Sequence, residues 1–306
     1  MAEIKLYAVE NKQAKELASS TVTLERELQI LIEKNMDTFF GVRFLKSEWA
    51  ITNGRMDSIG IDENGCPVIF EYKRAVNENV INQGLFYLDW LLDHKADFEL
   101  LVLKTLGQAD SERIDWSAPC VICIANDFTK YDSHAVDQIQ RNIKLVKYKQ
   151  YQRDSELLII FEHLNAPSLK TSSSNEMVYQ EEQIDGSKTT YKSNMERLAS
   201  APDRIKIIYA TVCDFIRSLG DDVVCNELKF YTAFKKTKNI ACVQVYNKCI
   251  LIYLKLEPSS VHLVNGFSRD VTQIGHYGTG NLEITIQNNE DVIMAKSLIE
   301  RAYNEN

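Results

Sequence analysis

GRMDSIGIDENGCPVIFEYKR, residues 54–74, is the stretch on which the fold of the first half of the chain turns. Two runs with strand character, Arg55–Ile61 and Pro67–Lys73, flank the turn-forming pair Asn64-Gly65. The second run passes through Val68-Ile69-Phe70 and then ends on Glu71 and Lys73, where apolar side chains would be the default. Residues two apart on a strand face the same way, so Glu71 and Lys73 project together while Tyr72 points to the other face. Whether Asp57 joins them depends on the turn. A two-residue loop would set Asp57 opposite Tyr72. A three-residue loop, Glu63-Asn64-Gly65 with Gly65 left-handed, would pair Asp57 with Glu71, and such loops favour glycine at that last position.

Carboxylates converging from neighbouring strands suit a hard divalent cation such as Mg²⁺, which takes oxygen ligands. An amine beside them suits a reaction in which negative charge develops on a phosphoryl group. On these residues alone the pattern admits two readings, metal-assisted hydrolysis of a phosphodiester or an exposed strand end with a routine Glu/Lys pair.

Outward from this stretch, TLERELQILIEKN (23–35) has the apolar spacing of an amphipathic helix, through Leu24, Leu28, Leu31 and Ile32. An extended segment is expected at Val42–Ala50, and a second helix over NENVINQGLFYLDWLLDHK (77–95). Leu100–Leu103 and Val121–Ala125 read as buried strands separated by the polar stretch Gly107–Ser117. Asp132 or Ser133 is expected to cap a helix, and strands are expected at Ile143–Tyr151 and Glu156–His163.

Composition then shifts. NAPSLKTSSSNEMVYQEEQIDGSKTTYKS (165–193) is poor in large apolar residues, which sets a linker at about 165–195 between a domain spanning 1–164 and one spanning 196–306. The second half reads as a smaller α+β domain. It has a helix over 202–219, strands near Lys229–Phe234, Ile240–Tyr246, Cys249–Leu256 and Leu282–Ile286, and a closing helix over 290–303.

At 306 residues the chain is long enough for each half to bury its own core. Hydrophobic residues at 45% and charged residues at 25% are ordinary for a globular protein. No apolar run reaches membrane-span length and the N-terminus lacks the apolar core of a signal peptide, so a cytoplasmic address is expected. Seven irregularly spaced cysteines argue against a disulfide framework. Net charge is −8, which weighs against coating nucleic acid through global charge but leaves room for a local basic groove. RNIKLVKYKQYQR (141–153) is a candidate for one. Lys144, Lys147 and Lys149, with Arg141 and Arg153, could meet a phosphate backbone or form a solvated strand face.

Other signals carry less. Cys120 and Cys123 have redox spacing, but three-apart residues on an apolar strand face opposite sides. His94, His134, His163, His262 and His276 stand singly, with His94 expected at a helix end. Gly275–Gly280 reads as a turn rather than a nucleotide loop, and FKKTKN (234–239), with Lys235, Lys236 and Lys238, as a solvated hairpin tip.

Taken in order, Glu25 on a helix, Gly54-Arg55-Met56-Asp57, Glu71-Tyr72-Lys73, and Gln83 followed by Tyr87 one helical turn later resemble the PD-(D/E)XK nucleases. The closest resemblance is to the NucS-type endonuclease domain, and it covers roughly residues 20–160. It implies a restriction-endonuclease-like α/β fold, a mixed β-sheet flanked by helices. It also implies a metal-dependent endonuclease hydrolysing DNA with Mg²⁺ or Mn²⁺. Asp57 and Glu71 would hold the metal, with Glu25 a further direct or water-mediated ligand. Lys73 would position or deprotonate the attacking water, Gln83 would orient Lys73 or a phosphate, and Arg55 would contact the backbone. The N-terminal DNA-binding domain of the NucS enzymes has no counterpart here, so their substrate preference is not carried over. The C-terminal domain is expected to supply recognition, a homodimer contact or a protein-partner surface. The rival expectation is a non-catalytic nucleic-acid-binding or adaptor protein that retains the nuclease fold.

Overall fold

A computed structural model describes residues 5–20, 25–73, 80–139, 141–164 and 192–306. The chain divides into two units, Met1–Pro167 and Ser168–Asn306. The first contains, in order, β1 (Leu6–Glu10), β2 (Gln13–Leu17), β3 (Ser19–Ser20), α1 (Glu25–Lys34), α2 (Met36–Phe40), β4 (Val42–Ile51), β5 (Gly54–Asp62), β6 (Pro67–Lys73), α3 (Val80–Asp93), α4 (Lys95–Leu106), α5 (Gln108–Ser111), β7 (Cys120–Ala125), α6 (Lys130–Gln138), β8 (Ile143–Arg153) and β9 (Glu156–His163). β1 and β2 form a separate hairpin. The other strands make one mixed sheet in the order β3-β8-β7-β6-β5-β4, with β9 also paired to β8. β6, β7 and β8 run parallel to one another, and β4, β5 and β6 form an antiparallel meander.

Strand alternation sorts this sheet's side chains onto two faces. Ile69, Val121, Cys123 and Leu145 pack with Leu88 and Leu91 of α3 and with Phe98 of α4. Val68, Phe70, Tyr72, Cys120 and Ile122 pack with Leu28 and Ile32 of α1. Cys120 and Cys123 thus lie in different cores, as their spacing requires. Neither forms a disulfide, and burial raises the pKa of Cys123.

The β5–β6 hairpin uses the three-residue loop. Asp62 N–H donates to the Cys66 carbonyl at 2.9 Å, and Gly65, at φ +82°, donates to the Asp62 carbonyl at 3.0 Å. Ile61 then pairs with Pro67 and Ser58 with Phe70, a register whose continuation sets Asp57 against Glu71. A Cβ on Gly65 would lie 2.3 Å from the Arg113 carbonyl oxygen, so both conformation and space require glycine there.

The second unit contains α7 (Asn194–Ser200), α8 (Asp203–Arg217), β10 (Val224–Glu227), β11 (Thr232–Lys235), β12 (Asn239–Val245), β13 (Ile250–Leu254), β14 (Ser268–Asp270), β15 (Leu282–Ile286) and α9 (Asn289–Glu305). Its strands form an antiparallel sheet in the order β10-β11-β12-β13-β15-β14. Ile240, Val243, Ile252, Leu254 and Ile284 pack against Ile208 and Val212 of α8 and Ala295 and Ile299 of α9.

Four expectations need correction. Residues 100–103 are not a strand. They lie inside α4, where Phe98 and Val102, four apart, face the core and Leu100 and Leu103 are exposed. A short apolar run has no periodicity of its own to separate the two. The cap of α6 is Thr129, in a capping box with Asp132 at N3, rather than Asp132 or Ser133. Lys235 is buried rather than solvated, because β11 extends one residue into the lysine run. The linker lies outside the described residues except for 192–195, where Asn194 and Met195 already belong to α7.

Candidate metal centre

The register of the hairpin brings two carboxylates together where β5 and β6 separate. Asp57 Oδ2 accepts a 3.0 Å hydrogen bond from Tyr72 N–H, and Glu71 Oε1 accepts one of 3.3 Å from Asp57 N–H. Each side chain thus takes the place of a ladder bond on the opposite strand. Glu71 is fully buried, and its second oxygen, Oε2, has no hydrogen-bond partner. Burial, reinforced by the charge of Asp57, pushes the Glu71 carboxyl up to about 9. Burial also raises Asp57, against the lowering effects of the Tyr72 N–H and Lys73.

Lys73 follows on the same face of β6, and its Nζ lies 3.9 Å from Glu25 Oε1 at the start of α1. Gln83 donates from Nε2 to Tyr87 Oη at 2.9 Å, and the Arg55 N–H reaches that oxygen at 3.4 Å. A Cβ on Gly54 would sit 2.7 Å from the Tyr87 ring, so the close approach of α3 to the start of β5 needs glycine. The Arg55 side chain is largely exposed and pairs with Glu48 at 2.6 Å.

Sequence reasoning missed the polar line that fastens α1 to the sheet. Gln29, buried, donates to the Asp57 carbonyl at 2.9 Å and to Glu33 Oε1 at 3.0 Å. Glu33 also accepts from Ser58 Oγ at 2.6 Å, which in turn accepts from Tyr72 Oη at 3.1 Å. The signal was present: Glu25, Gln29 and Glu33 are four apart and share one helix face beside the apolar Leu28 and Ile32. Glu48 was missed as well. It lies on β4 between Ser47 and Trp49, which pair with Ser58 and Met56, and its charge raises Asp57. It holds a left-handed backbone, φ 53°, a strain of about 1–3 kcal/mol that the surrounding contacts must sustain.

The three lysines of β8 are not brought together. Lys147 and Lys149 share the face of Leu145, whereas Lys144 lies on the face of Val146. Lys147 is paired with Asp127 at 2.8 Å.

Among the described residues, no three His, Cys, Asp or Glu side chains form a group that could hold a metal ion. The two carboxylates nevertheless fit a small hard cation. They are desolvated oxygen donors, one with an orphaned oxygen, and Mg²⁺ is commonly held by one or two carboxylates with water filling its other positions.

Residues 195–306 match the family described as a domain of unknown function, DUF5655. No helix among the described residues is long and apolar enough to cross a membrane. Partial likeness extends to a repair endonuclease from Pyrococcus abyssi, with 19% identity, a TM-score of 0.28 and coverage of 42% of this chain and 50% of that one. A structure of EndoMS with double-stranded DNA and one of its apo form give 20% and 21% identity at the same TM-score, with 47% and 48% of those chains covered. The chain spans about half the length of these solved proteins. An uncharacterized protein of Haemophilus influenzae is 30% identical over 303 residues, covering 98% of this chain and 99% of the relative. With likeness that runs essentially end to end, the chain belongs to the same family as that Haemophilus influenzae protein.

Proposed function

We propose that the chain is a metal-dependent endonuclease that hydrolyses phosphodiester bonds of DNA. The observation that carries this is the buried pair Asp57 and Glu71, with an orphaned carboxylate oxygen and with Lys73 on the same strand face as Glu71. Two desolvated carboxylates side by side are costly unless a proton or a cation compensates them. The ordered Glu25, Asp57, Glu71, Lys73 and Gln83 series supports the same reading. These residues carry it, not the partial likeness to solved endonucleases.

Asp57 and Glu71 would hold Mg²⁺ or Mn²⁺, which when bound supplies Lewis-acid polarisation of the phosphate and acidifies water. Glu71, whose carboxyl is pushed up to about 9 by burial and the Asp57 charge, would serve as a ligand in its deprotonated form. Lys73, steadied by Glu25, would orient the attacking water and offset the charge developing on the phosphoryl oxygens. Gln83 and Tyr87, hydrogen-bonded to each other, would line the approach of the phosphate backbone, with the exposed Arg55 beside them. The test is cleavage of single strands, duplexes, flaps and mismatched DNA with added Mg²⁺ or Mn²⁺, comparing wild type with Glu71→Ala and Lys73→Ala. Equal cleavage by all three would assign the activity to a contaminant.

One observation favours a second reading, a nucleic-acid-binding or adaptor protein that keeps the fold without catalysis. Glu25 lies by Lys73, and no three-ligand group is present among the described residues. Calorimetric titration with Mn²⁺ separates the two: heat that disappears in Glu71→Ala supports the nuclease, and its absence in wild type supports the adaptor.

A further inference from the structure

The C-terminal unit carries aromatic rings that its own core does not absorb. Tyr277 is 51% exposed and Tyr246 39%. Phe230 stacks on Tyr277 with ring centroids 4.3 Å apart and planes at 28°. The buried Gln244 ties the group together. Its Nε2 donates to the Tyr277 carbonyl at 3.0 Å, and its Oε1 accepts from Tyr246 Oη at 3.0 Å. Rings held through one buried amide form a fixed surface rather than a set of loose side chains.

Cations border these rings. The Arg197 guanidinium lies 5.3 Å from the Tyr246 ring centre and Lys229 Nζ lies 5.3 Å from that of Phe230. Lys192 is exposed just before α7. Asn194, fully buried, pins α7 to the sheet. Its side chain donates to Thr232 Oγ1 and to the Val243 carbonyl, both at 3.2 Å, and accepts from Val245 N–H at 2.9 Å. Its own N–H donates to the Lys229 carbonyl at 2.7 Å, so Lys229 and α7 are positioned by the same residue. The nearby acid, Glu196, is turned onto Ser193 in a capping box.

Two exposed tyrosine rings in a cluster that also holds cations match the alternation of flat bases and phosphates along a nucleic-acid strand. A duplex hides its base faces in its own stack, so only an unpaired strand can use such rings. An acidic peptide would use the cations but leave the rings without a counterpart. We infer that the C-terminal unit binds single-stranded nucleic acid, stacking bases on Tyr246 and Tyr277 and placing phosphates on Lys192, Arg197 and Lys229. The inference rests on the nuclease reading for its substrate class and assigns the unpaired part of that substrate to this surface.

The test is fluorescence anisotropy of labelled oligothymidine with the full chain in EDTA, which keeps the strand intact. The expected result is preference for the single strand over its duplex with oligoadenine. The combined Tyr246→Ala, Tyr277→Ala variant should weaken binding about tenfold or more, whereas Tyr277→Phe, which keeps the ring and leaves the Tyr246–Gln244 bond in place, should retain it. Arg197→Ala should reduce the salt slope by about 0.7. Absence of single-strand binding, equal affinity in the alanine variant, preference for duplex, or equally tight displacement by polyglutamate would each overturn the inference. Ring-dependent binding without metal-dependent cleavage of any substrate would remove the nuclease and keep this surface. Metal-dependent cleavage of single strands with unchanged KM in the ring variant would keep the nuclease and remove this surface.

Discussion

Glu71 and Glu283 are the same residue type, each almost wholly buried on a strand, one in each unit of the chain. Glu283 on β15 receives a forked pair of bonds from Arg269 on β14, at 2.5 and 2.9 Å. This planar fork matches the carboxylate and raises the Arg269 pKa. Glu71 faces another carboxylate instead, keeps one oxygen without a partner, and is pushed up to about 9. Burial alone therefore says little about function. A buried acid held in a fork by its own arginine is part of the architecture, while one set against a second carboxylate is a candidate site.

Breaking each arrangement should have opposite consequences. The largest effect is expected from Glu71→Ala or Lys73→Ala, which should lower metal-dependent kcat/KM on DNA by about 10³-fold or more while the far-ultraviolet circular dichroism stays that of wild type. Arg269→Ala should leave cleavage per folded molecule unchanged. It removes the charged partner of the buried Glu283, so urea unfolding should report a loss of about 1–2 kcal/mol. A cleavage defect there would erase the contrast.

A pH series sharpens it. The folded pKa of Glu71, about 9, lies above its unfolded value of 4.5, so the folded state holds a proton that the unfolded chain has lost. That contribution to stability is fully present below pH about 4.5 and is lost as pH rises toward 9. Glu71→Gln should therefore flatten the pH dependence of the thermal midpoint in EDTA. It should also raise that midpoint at alkaline pH and abolish any stabilisation by Mn²⁺. A wild-type midpoint that rises between pH 5 and 9 would contradict this assignment. The smallest effect is expected from Thr129→Ala, which removes the α6 cap at a cost of about 1 kcal/mol. With cleavage unaffected, it supplies the baseline that separates stability from chemistry.

Much of this was legible in the chain. The β5–β6 hairpin, its glycine turn and the shared face of Glu71 and Lys73 follow from strand periodicity and from Gly65. The limits were local. Leu100–Leu103 was misread because four apolar residues carry no period, and only the burial of Phe98 and Val102 together reveals the helix. Lys144, Lys147 and Lys149 looked like one patch because they are close in sequence, but β8 sends Lys144 to one face and the other two to the opposite one.

By itself the sequence determined the alternating strands, the amphipathic helices and the order of the acidic and basic residues, because these depend on neighbours a few positions away. Only the tertiary structure decided which charges are compensated. Glu283 met Arg269 across β14 and β15, Glu71 met Asp57 across the hairpin, Glu25 met Lys73 from a helix, and Gln29 bound α1 to the Asp57 carbonyl. Desolvation and Coulomb interaction depend on distance through space and on excluded water, and neither quantity exists until the chain has folded.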